Sequence, residues 1–103
     1  MIKPITPDEV KHVIPDFVIK TVNKLITEKW NGKEAIIIQN DIIDEILNNY
    51  PDEDKPSRYT IFESHWLDFE PLYRKAGWNV TYRKPAFDEN FKSYFKFTKN
   101  FGL

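Results

Sequence analysis

Trp78-Asn79-Val80-Thr81-Tyr82-Arg83-Lys84-Pro85 and, further on, Lys92-Ser93-Tyr94-Phe95-Lys96-Phe97-Thr98-Lys99 both alternate between apolar and polar residues. A period of two is the mark of a strand with one buried face. Val80 and Tyr82 share one face of the first run, and Thr81 and Arg83 share the other. In the second run Phe95 and Phe97 face away from Tyr94, Lys96 and Thr98. The connection from Pro85 to Phe91 is too long for a two-residue turn. The chain therefore ends in a β-hairpin with a long connecting loop.

Upstream of the hairpin the period changes. Val18, Val22, Leu25, Ile26 and Trp30 recur at helical spacing, with Lys20, Lys24 and Glu28 outside, which predicts a helix over 16–30. Pro15 and Asp16 suit its first turn and Asn31-Gly32 its stop. Ala35-Ile36-Ile37-Ile38 has no polar alternation and reads as a strand buried on both faces, or nearly so. Asn40 is placed to cap a helix carrying Ile42, Ile43, Ile46, Leu47 and Tyr50, ended by Pro51. Residues 51–57 form the most loop-like stretch. Ser57 can cap a short helix carrying Tyr59, Phe62 and Trp66. After a break at Leu67-Asp68, Asp68 can cap another, with Pro71 in its first turn, Leu72, Tyr73 and Ala76 facing in, and Gly77 as its end. Residues 1–14, with two prolines, read as a lightly anchored arm; 15–103 form a single α+β domain.

Apolar residues make up 41% of the 103 and aromatics 16%, enough for one core. With no cysteine, disulfides, thiol catalysis and sulfur-based zinc sites are excluded. No apolar run approaches membrane-spanning length, and Met1 to Pro7 has no secretory apolar region, so no membrane partner is expected. The Asn79-Val80-Thr81 sequon should then stay unglycosylated.

The order of elements, with 57–76 taken as a helix-turn-helix, resembles the winged-helix arrangement. That resemblance implies that Asp68 to Gly77 occupies the place of a recognition helix and 85–91 the tip of the wing. A second resemblance lies in the residue string. Trp66-Leu67-Asp68-Phe69-Glu70 with Leu72-Tyr73-Arg74-Lys75-Ala76-Gly77-Trp78-Asn79-Val80, and Glu28-Lys29-Trp30-Asn31-Gly32, are similar to small proteins of T4-like tailed bacteriophages. The likeness covers about two thirds of the chain and carries no activity with it. It implies a virus-encoded protein acting in the cytoplasm of a bacterial host, where host takeover is a natural task.

Catalytic signatures are mostly lacking. Glycines 32, 77 and 102 stand alone, so no phosphate-cradling loop or dinucleotide fingerprint is present, and no cofactor is expected. Ser57, Ser64 and Ser93 have no nucleophile-elbow context. His65 has Glu63, Asp68 and Glu70 within five positions, a neighbourhood that suits a metal ion or proton transfer. The plainer reading is a half-buried histidine beside Trp66, with the acids capping the next helix; His12, in the arm, has no obvious partner. The expectation adopted is a non-catalytic chain with no metal site.

Charge is more informative by segment than in sum. The total is −1, but residues 1–38 carry +1, residues 39–71 carry −7 and residues 72–103 carry +5. Within the basic segment Arg83, Lys92, Tyr94 and Lys96 share the outward hairpin face, with Lys84 and Lys99 nearby. Cations around one aromatic ring suit a phosphate backbone and an unstacked base. Lysines on an exposed strand also serve to block edge pairing, and Tyr94 can simply pack across the strands. Asp68 and Glu70 at the start of the presumed recognition helix would repel phosphates, so backbone or shape contact is expected in place of base reading. The leading expectation is a small nucleic-acid-binding module using Arg83, Lys84, Lys92, Tyr94 and Lys96. The alternative is an adaptor or inhibitor of a host bacterial protein, using Asp52, Glu53 and Asp54 or the loop aromatics Phe87 and Phe91. Trp30, Trp66, Trp78, Phe62, Phe69 and Tyr73 are expected to fill the core, and Phe101 joins Phe87 and Phe91 as hard to hide.

Overall fold

The computed structural model describes residues 4, 14–51 and 53–100. The arm assigned to 1–14, with His12, lies outside these except for Pro4 and Ile14, as do Asp52 and Phe101. Ile14 is buried in the core.

Helix α1, Asp16–Lys29, forms where the apolar stripe repeats at helical spacing, and Val18, Val22, Leu25 and Ile26 are buried along it. Its chain leaves the helix at Trp30, whose backbone is already extended. Asn31 then accepts the Lys33 and Glu34 amides on Oδ1, at 2.9 and 2.8 Å, and Gly32 sits at φ +93°. Asn31-Gly32 is thus the turn into the sheet rather than the helix cap itself.

Strand β1, Glu34–Ile38, runs directly into helix α2, Gln39–Asn49. Ile38 occupies the N-cap without a side-chain hydrogen bond, and Asp41 meets the helix dipole in the first turn. Asn40 lies inside the helix, not at its cap, and its Oδ1 accepts from Arg58 Nη2 at 2.7 Å. Ile42, Ile43 and Ile46 are buried, and Tyr50 and Pro51 follow the last turn.

Helix α3 spans Arg58–Glu63, with Ser57 Oγ accepting the Thr60 amide at 3.1 Å. It is shorter than the apolar spacing suggests because it closes in a Schellman motif. The His65 amide donates to Phe62 O and the Trp66 amide to Ile61 O, both at 3.1 Å, with His65 at φ +58°. The residue this helix buries is Ile61; Tyr59 and Phe62 are exposed. Helix α4, Glu70–Lys75, has Phe69 as its N-cap, so Asp68 is not the cap. Tyr73 faces in, Leu72 is half-buried and Ala76 is exposed. Gly77, at φ +102°, ends the helix where a Cβ would be strained.

Strands β2, Trp78–Arg83, and β3, Tyr94–Lys99, form the expected hairpin, with the loop extended to 84–93. The sheet is antiparallel in the order β1-β3-β2. Register pairs Ala35 with Phe97 and Ile37 with Phe95 on one side, and Val80 with Phe97 and Tyr82 with Phe95 on the other. The resulting inner face joins one cluster with α1, α2 and Phe69. Phe69 lies 4.8 Å from Phe95 and 6.2 Å from Phe97, centroid to centroid. Tyr73 donates from its hydroxyl to Asn23 Oδ1 at 2.7 Å and to Ile19 O at 3.2 Å, tying α4 to α1. The described residues thus form a small α+β domain with four helices and one three-stranded antiparallel sheet.

Among the described residues no layer covers the far face of the sheet. Ile36 is 45% exposed, and Asn79, Thr81, Arg83 and Lys96 are exposed too. That corrects the reading of β1 as buried on both faces: it is an edge strand with one buried side. Of the aromatics assigned to the core, Phe69 and Tyr73 are buried, the three tryptophans are half-buried, and Phe62 is outside.

Candidate nucleic-acid interface

Antiparallel register sets three rows across the open face. Ile38, Tyr94 and Arg83 form one, Ile36, Lys96 and Thr81 the next, and Glu34, Thr98 and Asn79 the third. Directly opposed residues on such a sheet stand about 5 Å apart, so Tyr94 and Arg83 are immediate neighbours and Lys96 sits at the centre. Tyr94 is half-buried, packing against Phe91 at 5.9 Å between centroids.

Lys84 and Lys92 lie just beyond the strand ends and are exposed. The loop between them begins a turn in which the Glu89 amide donates to Ala86 O, and the Ala86 amide donates to Glu89 Oε1 at 2.9 Å. At its tip Phe87 is fully exposed. The Gln39 amide donates to Ser93 O at 2.9 Å, which anchors the end of the loop to the start of α2. Of the loop aromatics, Phe91 is half-buried and only Phe87 stands in the open.

The register puts Arg83, Tyr94 and Lys96 on one face, as the alternation predicts, whereas Lys92, expected on that face, lies with Lys84 beyond the strand ends. Sequence and geometry also part over the size of the positive field. Lys96 Nζ lies 3.6 Å from Glu34 Oε2, and Asp88 and Glu89 occupy the loop. Lys99 turns to the other side, its Nζ 5.7 Å over the Trp30 ring. Arg74 belongs to α4 and donates from Nη2 to Val80 O at 3.0 Å. The excess of +5 read along 72–103 is therefore divided between two sides of the sheet. Among the described residues no ion pair involves Arg83, Lys84 or Lys92.

Ile36 was not legible beforehand, because a run of isoleucines hides which members face out. Of the acidic alternative, Glu53 and Asp54 are exposed in the 51–57 loop. His65 is exposed, not half-buried, with Nδ1 3.2 Å from Asp68 Oδ2. Among the described residues no three metal-ligating side chains gather in one place, and no helix is long and apolar enough to cross a membrane. No family model, curated protein or solved structure matches the chain.

Proposed function

We propose that this chain is a non-catalytic, winged-helix-like binding module that holds a nucleic-acid backbone against the open sheet face and its 84–93 loop. The observation that carries the proposal is that Arg83, opposite Tyr94 in the sheet, and Lys84 and Lys92, just beyond the strand ends, are exposed and without ion-pair partners among the described residues. Phosphates attract such cations by displacing condensed counterions, and a ring at the surface offers a platform for one unstacked base. Lys96 would exchange its exposed, weak pairing with Glu34 for a phosphate at little cost. The helix in the recognition position has only six residues and begins with Glu70, so contact is to backbone and shape. The resemblance to T4-like phage proteins suggests a bacterial host cytoplasm as the setting.

The test is fluorescence anisotropy with labelled single-stranded and duplex oligonucleotides in rising salt. Affinity should fall steeply between about 50 and 200 mM salt, and Lys92→Glu with Lys96→Glu should weaken it by about tenfold or more at the lower value. Absence of binding to both forms at low salt removes the proposal.

A second reading, an adaptor or inhibitor for a host protein, is favoured by one feature. A phenylalanine held fully in solvent at a loop tip, Phe87, is the kind of anchor a protein partner buries.

A further inference from the structure

On the helix-covered side of the sheet, at the end nearest the loop, lies an open groove of about 200 Å³. Phe62 of α3 and Tyr82 of β2 are part of its wall, Phe95 and Leu67 are further apolar lining, and Gln39, Asp68 and Glu70 supply its polar atoms. Two features set it apart from ordinary surface relief. Phe62 and Tyr82, 44% and 39% exposed, are two of the few large apolar side chains left in solvent, and both face this groove. Among the described residues, every charged group lining it is a carboxylate.

We infer that this groove receives an arginine side chain of a partner polypeptide, stacked on the aromatic wall and paired with Asp68 and Glu70. The chemistry of the lining selects that occupant. Aromatic faces attract cations, and a planar guanidinium can stack on a ring while its N–H groups reach carboxylates. A small hydrated metal ion has no use for rings. A phosphate would meet two like charges. The same ring already attracts one guanidinium: Arg58 Cζ lies 5.6 Å from the centroid of the Phe62 ring, while its Nη2 donates to Asn40 Oδ1. Burial pushes the Glu70 carboxyl above its usual range; a hydrogen bond from its own backbone opposes this, the charge of Asp68 adds to it and Arg74 opposes it. A guanidinium between Asp68 and Glu70 would relieve that repulsion. The groove is acidic and lies across the sheet from the basic face, so the inference stands apart from the nucleic-acid proposal.

The test is an amide-resolved NMR titration of the full chain with a blocked glycine-rich pentapeptide carrying one central arginine. Saturable shifts should centre on Gln39, Phe62, Glu70 and Tyr82. The same peptide with citrulline, neutral and nearly isosteric, should bind about tenfold or more weakly. Asp68→Asn with Glu70→Gln keeps the shape and should produce a comparable loss while amides elsewhere hold their positions. Phe62→Leu should weaken binding independently. Equal binding of the citrulline peptide, shifts centred elsewhere, or no saturable shift into the millimolar range would each overturn the inference. So would magnesium or calcium alone producing the same shifts. Oligonucleotide added to the complex should leave the peptide bound.

Discussion

His65 occupies a left-handed backbone position that glycine takes without a Cβ penalty, in the Schellman motif that stops α3. Its imidazole contact with Asp68 is exposed, so it returns little stability. His65→Gly should therefore raise stability by up to about 1 kcal/mol in urea denaturation. A loss instead would mean that the imidazole has a stronger role than this geometry supports. Glu70 makes the complementary case. Its folded-state carboxyl titrates above the ordinary value of 4.5, chiefly through burial. The folded state thus keeps the proton where the unfolded chain has lost it, so stability falls as pH rises through that window and is regained on acidification. Glu70→Gln should raise the urea midpoint at neutral pH, and the gain should vanish once pH falls below 4.5. Tyr73, whose hydroxyl is pushed up by burial, stays a neutral donor to Asn23 and Ile19. Tyr73→Phe should cost about 1 kcal/mol, the net worth of hydrogen bonding lost between α4 and α1.

At the scale of elements, the sheet divides its two faces unequally, and substitutions on β1 and β3 can read that division. Phe97 is fully buried, touching Phe69, Tyr73 and Trp78 by ring contacts, whereas Ile36 on the adjacent strand faces solvent. Phe97→Ala should cost about 3–5 kcal/mol, and Ile36→Thr should stay within about 0.5 kcal/mol. A large loss at Ile36 would show that the outer face is covered in solution. The short helices are a matter of stops more than of propensity. Tyr59, Phe62 and Trp66 are spaced as for one continuous helix, but the reversal at His65 turns the chain before Trp66 and leaves Phe62 in the groove. That local reversal is what creates the acidic aromatic groove. It could not be read from spacing, because the same spacing serves a helix and a helix that ends early.

For the whole molecule the decisive arrangement is two surfaces of opposite character on opposite sides of one thin sheet. The basic face depends on residues from β2, β3 and the loop; the groove gathers α2, α3, the 64–69 turn, α4 and both hairpin strands. Phe87 belongs to neither and contributes nothing to the core. Phe87→Ser should leave the thermal midpoint unchanged, since an exposed side chain has no burial to lose. The same variant should keep oligonucleotide affinity if the cations carry binding, which anisotropy would detect alongside the lysine variants.

The hairpin, α1 and the buried stripe of α2 were legible because their side-chain periods, two and 3.6, are local properties that backbone geometry converts directly into faces. Ser57 and Gly77 were legible for a similar reason: a cap and a left-handed stop need only their nearest neighbours. Tertiary structure alone decided which isoleucine of β1 faces water, since that depends on which face of the sheet the helices pack against. It also decided where the positive charge goes. Lys99 and Lys96 lie on the same strand and count equally in a sum, yet alternation and cross-strand neighbours send one to Trp30 and the other to Glu34. Charge along a chain is additive, but the field it makes depends on which side of the sheet each side chain emerges.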